Sequence, residues 1–520
     1  MKKTWSLLFA LFLPTLCFAG TNTLFVRPSA SKSPLFQVKA TLAHTYEAAG
    51  WDQWEVPPRT DMLALIGELR AQGVEVWQDQ RVEALVTPND PIENTYQWHW
   101  LQDANKTGYP HGINGVDVNG HQAWDLWTGD STFKIGMIDT GIQFTHEDLI
   151  ANIWTNPGEI PGNGIDDDHN GYIDDVHGWD FGGETVTNDG TSIEDNDPAD
   201  RYFHGTWTSS LVGGRGDNTI GVTGAMWKCE LVPLKYSQGT TGGGWYNAII
   251  RAMEYARTNG IKVTSNSYGG GEYFQPLADE IAACTASGML TICAAGNSGL
   301  DCDCPMICSA YNNGQVFYPW RNYPADFSDP GIISVGASDP SDQVGSFSTF
   351  GPTSVDLFSP GAYIFGAYLY DPATCNNIIC KYQSFNGTSG ATPIVSGTAA
   401  LIWSRYPSLT AAQVKSVILN SVEQKSAFTG KCVTGGRLDM YAAMVAAASV
   451  GGGGGGEQET QRAVERDPAD PASRTMFSIA EARDLIHSGR LVFYDAAGRR
   501  VADPKPGIYF VNKRTVLVTR

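Results

Sequence analysis

Three short segments carry residue types that could cooperate in nucleophilic chemistry. The apolar run Lys134–Ile138 delivers Asp139 at its carboxyl end, where open α/β sheets present their functional groups. His204 stands between Phe203 and Gly205-Thr206. Ser389 lies in Phe385-Asn-Gly-Thr-Ser-Gly-Ala-Thr-Pro393, a glycine-rich turn entering a helix. A serine hydroxyl attacks poorly near neutral pH unless a base takes its proton, and an imidazole oriented by a carboxylate is such a base. Each residue alone has a plainer reading: a surface or capping Asp, a structural loop His, an N-cap Ser. The order Asp, His, Ser with these flanks favours the joint reading.

The elements that must hold them follow from periodicity. Residues 88–448 alternate short apolar runs (Lys134–Ile138, Leu231–Lys235, Ile261–Ser265, Met289–Ala294, Ile332–Val335) with helical stretches such as Trp245–Thr258 and Gln275–Ala286. Alternating β and α predicts an α/β fold, a mostly parallel sheet with helices on both faces. Ser389–Tyr406, rich in Ala and Gly, reads as a buried helix. Residues 20–87 form a separate small α+β unit. Thr60 caps a helix bearing Met62, Leu63, Leu65, Ile66 and Leu69, Gly73 ends it, and strands follow at Val74–Trp77 and Val82–Val86. Residues 449–475 form a linker that contains the glycine run Gly451–Gly456. Residues 476–520 form a small β module with strands in 490–501, 506–511 and 515–519.

Composition bounds the partners. The chain has 520 residues and a formal net charge of −20, which argues against nucleic acid, since phosphate binding needs clustered Lys and Arg. Met1-Lys-Lys followed by the apolar run Trp5–Phe18 and a small residue, Ala19, has the layout of a secretory signal peptide over 1–19. That run is too short for a membrane span. Export permits disulfides. Ten cysteines, one within the leader, leave an odd number, so at least one stays unpaired within the chain. Cys302, Cys304 and Cys308 crowd one loop, and Cys375 and Cys380 another. Disulfides suit both groups better than zinc, for which no His stands at ligand spacing. Cys293, in an apolar stretch, reads as a buried small hydrophobe.

The Asp139, His204 and Ser389 segments resemble the three signature blocks of the subtilisin-like serine peptidases, across roughly residues 88–448. The resemblance implies a secreted serine endopeptidase acting on protein or peptide substrates. Ser389 would be its nucleophile, His204 its general base and acid, and Asp139 the group that orients His204. Ala294-Ala-Gly-Asn-Ser-Gly299 is similar to the family's oxyanion segment, which gives Asn297 the role of side-chain donor beside the Ser389 backbone N–H. Ser267-Tyr-Gly-Gly270 resembles the strand that pairs with an extended substrate. Ser267, Tyr268, Gly269, Ala294, Ala295 and Gly296 are then the expected pocket residues, with room for an apolar or aromatic side chain. The family usually has a second His shortly after the catalytic one, within a His-Gly-Thr-His pattern. Here Trp207 takes the last place, and repacking is expected there. Asn386-Gly-Thr formally matches a glycosylation acceptor, but a glycan in the Ser segment would obstruct substrate.

The most acidic stretch, Asn163–Asp175, places Asp166, Asp168 and Asn170 at alternate positions, then Gly171 for a sharp turn and the Tyr172 carbonyl. This is the logic of an EF-hand-like calcium loop. His177 stands at position twelve instead of Glu, so Asp174 or Asp175 must close the site. A solvated acidic loop is the alternative. Given a peptidase, 20–87 resembles a propeptide that assists folding and blocks the cleft as an intramolecular inhibitor. The C-terminal Tyr494-Asp-Ala-Ala-Gly and Pro506-Gly-Ile-Tyr-Phe-Val pattern is similar to type IX secretion sorting modules. A monomer is expected. The rival reading is an inactive relative serving as a calcium-dependent binding or adhesion module.

Overall fold

The computed structural model describes residues 23–27, 35, 38–47, 50–57, 60–78, 87–103, 112–186, 192–270, 272–304, 321–375 and 377–451, and five strands between 476 and 519. The expected leader, the strand at 82–86, Cys308 and nearly all of the linker lie outside these residues. Two compact units divide between Leu85 and Val86.

In the first unit, strands β1 (Thr23–Val26), β2 (Thr41–Tyr46), β3 (Trp51–Glu55) and β4 (Val76–Gln78) form an antiparallel sheet in the order β2-β3-β1-β4. Leu24, Val26, Trp54 and Val76 from the sheet form one core with Leu65 and Leu69 of helix α1 (Met62–Ala71). The cap of that helix is Asp61, which accepts from Ala64 N at 3.0 Å, and not Thr60, whose hydroxyl donates to the Pro57 carbonyl at 2.7 Å. A carboxylate is the more favourable acceptor at the positive end of a helix.

The second unit is built on a ten-stranded sheet. Its strands are β5 (Gly129–Asp139), β6 (Trp179–Val186), β7 (Ser192–Asp195), β8 (Lys228–Lys235), β9 (Val263–Asn266), β10 (Leu290–Ala294), β11 (Ile332–Ser338) and β12 (Leu357–Pro360). The hairpin β13 (Ile364–Ala367) and β14 (Tyr382–Phe385) stands apart, and β15 (Glu423–Gln424) and β16 (Gly436–Arg437) complete one edge. The order is β15-β16-β12-β11-β10-β9-β5-β8-β6-β7, with every pairing parallel except the two outermost.

Period-two alternation sends side chains to both faces of this sheet. Ile135, Met137, Leu290 and Ile292 join one core, while Ile138, Leu234 and Cys293 join the other. Helices α2 (His204–Gly213), α5 (Thr388–Arg405), α6 (Ala411–Asn420) and α7 (Met440–Gly451) supply residues to the first side. Helices α3 (Tyr246–Thr258) and α4 (Gln275–Ala286) supply the second. Helix α5 is buried from Thr388 to Trp403, as its small residues predict. The expected α/β architecture is the one observed.

In the C-terminal segment, β17 (Met476–Ser478), β18 (Phe493–Tyr494), β19 (Arg500–Val501), β20 (Gly507–Val511) and β21 (Arg514–Thr519) form a sheet ordered β17-β21-β20-β18-β19. The strand expected across 490–501 is a hairpin, β18 with β19. Among the described residues, no helix is long and apolar enough to cross a membrane.

Cys375 and Cys380 are joined in a disulfide, and Cys304 is disulfide-bonded. Cys302, expected in a disulfide, is instead a free thiol. Its side chain turns inward against Val355, Phe358, Phe428 and Cys432.

Candidate active site

Strand β5 ends on Asp139, which is 2% exposed. The Asp139 carboxylate accepts three bonds: from His204 Nδ1 at 2.7 Å, from Thr140 N at 2.8 Å and from Thr208 Oγ1 at 2.9 Å. The first fixes the imidazole, whose other nitrogen, Nε2, is then the one that can exchange a proton with a substrate or nucleophile. His204 opens helix α2 and keeps 22% of its side chain exposed. Gly205 follows it because the helix start lies against the β5 exit loop: a Cβ there would meet the Gly141 carbonyl at 2.1 Å. Burial opposes a charge on His204. The neighbouring Asp139 carboxylate, its hydrogen bond and the charge of Asp200 outweigh burial and raise the imidazole above its ordinary value.

Ser389 sits in the first turn of α5 and is 9% exposed. Its hydroxyl donates to the Ser267 carbonyl at 3.1 Å, and the Ser267 hydroxyl donates back to the Ser389 carbonyl at 3.1 Å. This rotamer ties the serine to the segment that follows β9, and for the hydroxyl to be deprotonated it must swing to a base. Catalytic hydrogen bonds often tighten only when substrate is bound. Helix α2 packs on α5 here. Trp207 fills the space beside Gly390, where a Cβ would lie 3.0 Å from its ring, and donates Nε1–H to the Ile364 carbonyl at 3.1 Å. The residue that departs from the usual family pattern is thus a buried packing residue between the two helices.

Asn297 lies across from Ser389. Its Oδ1 accepts from Thr388 N at 2.9 Å and from Thr388 Oγ1 at 3.1 Å. With the oxygen held, the Nδ2 end is left to donate to a ligand. The Thr388 hydroxyl also accepts from Gly296 N at 3.1 Å, so the segment before the serine and the segment around Asn297 are stitched together.

One cleft of about 300 Å³ is lined by Ser267, Tyr268, Gly269, Ala294, Gly296, Asn297, Ser298, Asn322, Thr388 and Ser389. Five of the six expected pocket residues line it. Ala295 does not: it belongs to the small core with Cys302 and Phe358, because its side chain points to the opposite face of the chain from its neighbours. Asn322 and Ser298 were not anticipated. Asn322 is 8% exposed, donates Nδ2–H to the Ala294 carbonyl at 2.8 Å, and lies so close to Gly269 that a Cβ there would meet its Oδ1 at 2.2 Å. The Asn386 side chain is engaged, with Oδ1 accepting from Tyr363 N at 2.6 Å.

The acidic loop divides into two groups. Glu159, Asp168 and Asp175 bring one carboxylate oxygen each to within 4.8 Å of one another. Asp174 is turned away to accept from Asn163 N at 3.1 Å and Gly164 N at 2.9 Å, and Asp166 accepts from Asn170 N at 3.1 Å and Gly171 N at 2.9 Å. Asn170 donates its amide to Asp175 Oδ2 at 2.9 Å, and the Tyr172 ring packs on Trp179 and Tyr255. Glu159, absent from the sequence reading, binds the loop through Asp167 N at 2.9 Å and Asp174 N at 3.0 Å. Burial pushes Asp175 above its ordinary value, and the Asp168 charge adds to this against hydrogen bonds from Tyr255, Asn156 and Asn170. Three crowded carboxylates are a hard-oxygen donor set of the kind calcium takes, so the residues present fit that ion.

The profile of the Subtilase family of peptidases matches residues 130–463. Thermitase of Thermoactinomyces vulgaris is 28% identical over 69% of this chain and 99% of its own length. Subtilisin DY of Bacillus licheniformis is 32% identical over 59% of this chain and 89% of its own. An extracellular protease of Xanthomonas campestris is 30% identical over 75% of this chain and 61% of its own. Among solved structures, a protease from Pseudoalteromonas arctica superposes with a TM-score of 0.52 at 23% identity, covering 70% of this chain and all of that one, which speaks for the fold. With a parallel sheet of this order and a family match spanning most of the second unit, the chain belongs to the subtilase family of serine peptidases.

Proposed function

We propose that the protein is a secreted, calcium-stabilised serine endopeptidase with Asp139, His204 and Ser389 as its triad and Asn297 as oxyanion donor. The observation that carries this reading is the 2.7 Å bond from His204 Nδ1 to buried Asp139, with Ser389 and Asn297 on the walls of one cleft. Ser389 Oγ adds to the scissile carbonyl as His204 Nε2 takes its proton. The tetrahedral oxyanion is met by the Ser389 N–H and by Asn297 Nδ2, aided by the positive end of α5. His204 then passes the proton to the leaving amine, the acyl-enzyme forms, and water repeats the sequence in reverse roles. Asp139 holds the tautomer and stabilises the imidazolium throughout. Backbone pairing along Ser267–Gly270 supplies affinity without reading sequence.

Glu159, Asp168 and Asp175 would hold calcium, which would neutralise their mutual repulsion and stabilise the fold. Proton transfer stays with the triad. The separate amino-terminal unit, with its own core, supports a propeptide role for 20–87, and the β segment after 476 supports a sorting or accessory role. The relative named extracellular protease favours export. The test uses wild type and Ser389→Ala with casein and a serine-directed fluorophosphonate, with calcium and with chelator. Labelling and cleavage in wild type alone, weakened by chelator, are expected. A folded wild type that neither labels nor cleaves would leave the inactive binding module as the reading.

A further inference from the structure

Asp200 is buried to 3% exposure and lies four residues before His204. Its Oδ1 accepts from Tyr202 N at 2.8 Å, Phe203 N at 3.0 Å and Thr140 Oγ1 at 3.0 Å. Its Oδ2 accepts from Thr206 N at 2.9 Å and Thr206 Oγ1 at 2.6 Å. The Thr140 hydroxyl in turn accepts from Gly205 N at 2.8 Å. Thr140 adjoins Asp139, and Gly205 adjoins His204. A helix cap would need only the bonds to the first turn. The bond to Thr140 reaches the residue just past the end of β5, 60 residues away in sequence.

The residue between Asp200's loop and His204 needs such restraint. Phe203 has φ of 109°, a left-handed conformation for a bulky side chain, which persists only where the surroundings over-determine it. Asp200 holds its N–H, and its ring stacks on Phe385 at 4.9 Å.

We propose that Asp200 is a positioning residue of this site: its carboxylate locks the loop carrying His204 to the strand end carrying Asp139, and adds a second negative charge near the imidazole. This rests on the peptidase reading for its catalytic consequence only. The charged groups that act on His204 are Asp139 from β5 and Asp200 from the loop, while Trp207 of α2 faces it with a ring at 5.9 Å. Burial raises Asp200's own carboxyl above its ordinary value, and the hydrogen bonds from Thr206, Phe203 and Tyr202 oppose that.

The test follows the His204 imidazole by NMR titration in the full chain carrying Ser389→Ala, with and without Asp200→Asn. Loss of the second carboxylate is expected to move the His204 midpoint to lower pH. In the chain with Ser389 intact, Asp200→Asn is expected to lower kcat by up to about 10²-fold, the scale for a displaced catalytic group, with KM little changed. If Asp200→Asn does not fold, Thr140→Val decides, since it cuts the tie between strand and loop but keeps the charge: kcat should fall with KM held. An unchanged His204 midpoint in folded Asp200→Asn, or an unchanged kcat in folded Thr140→Val, overturns the proposal. The titration is read without the nucleophile, so it stands apart from the peptidase reading, whose failure would show as an unlabelled wild type.

Discussion

Lys235→Met should destabilise the fold in a strongly pH-dependent way. Lys235 Nζ meets Asp180 Oδ2 at 2.7 Å, and both side chains are 0% exposed. Asp180 Oδ1 accepts from Gly182 N at 2.9 Å and Gly183 N at 2.8 Å. In register, Lys235 stands between Asp139 of β5 and Asp180 of β6, and the next residue, Tyr236, donates its N–H to the Asp139 carbonyl at 3.0 Å. The pair therefore closes the sheet end that presents the Asp139 carboxylate. Methionine keeps most of the apolar volume and removes the charge. Breaking a buried pair from one side costs about 3–5 kcal/mol, a large share of a domain stability of about 5–15 kcal/mol.

The sign with pH follows from Asp180, which burial pushes from 3.8 up to about 6, with Lys235 opposing. A carboxyl whose folded pKa is raised contributes stability that is full below its unfolded value and lost as pH rises through the folded one. Without Lys235 the folded value rises further, so the deficit of Lys235→Met is largest above pH 6 and shrinks towards pH 4. Urea unfolding of the Ser389→Ala chain, followed by tryptophan fluorescence at about pH 4.5 and about pH 8, measures both. Asp180→Asn added to Lys235→Met should recover part of the loss at the higher pH. Equal deficits at the two pH values, or none at the higher one, would refute the reasoning.

Asn297→Ala should lower kcat with KM nearly unchanged. Loss of the corresponding donor in a subtilisin, about 10²–10³-fold, sets the expected scale, and steady-state cleavage of a chromogenic peptide checks it. Chelation should lower the unfolding temperature of Ser389→Ala, because calcium at a hundredfold excess over its Kd stabilises by about 2.7 kcal/mol. Asp175→Asn should abolish most of that calcium response while Asp174→Asn keeps it. The reverse ranking would place the ion elsewhere in the loop.

The sequence made the parallel sheet legible because β5, β8, β10 and β11 carry short apolar runs, which burial on both faces of a sheet favours. Helix α5 was legible for the same reason: Ala, Gly, Ser and Thr allow close approach on every side. In the first unit, β1, β2 and β3 went unread. Thr41–Tyr46 is exposed along its whole length and Trp51–Glu55 carries Asp52 inside the sheet, so neither shows the alternation that marks a strand. The helix start was misread by one residue because Thr60 and Asp61 can both cap, and only the turn geometry at Pro57 decides between them.

The site itself divides along the same line between local and non-local information. Asp139, His204, Asn297 and Ser389 each announce themselves through their immediate neighbours, since the backbone that presents them is shaped by adjacent glycines and alanines. Glu159 and Asn322 do not. Glu159 enters the carboxylate group because its two oxygens are drawn to Asp167, Asp168 and Asp174 N–H groups 8 to 15 residues away. Asn322 reaches the cleft because Gly269 leaves it room and the Ala294 carbonyl holds it, 53 and 28 positions away. Ala295 errs in the other direction: proximity in sequence to Ala294 and Gly296 suggested a wall residue, but an extended segment shows alternate side chains to alternate sides. The acidic loop shows the same limit, for alternate spacing marked six ligand candidates, while of these only Asp168 and Asp175 bring a carboxylate oxygen to Glu159. Which carboxylates converge is thus decided by how the loop folds back on Glu159, and that is settled only when the chain closes on itself.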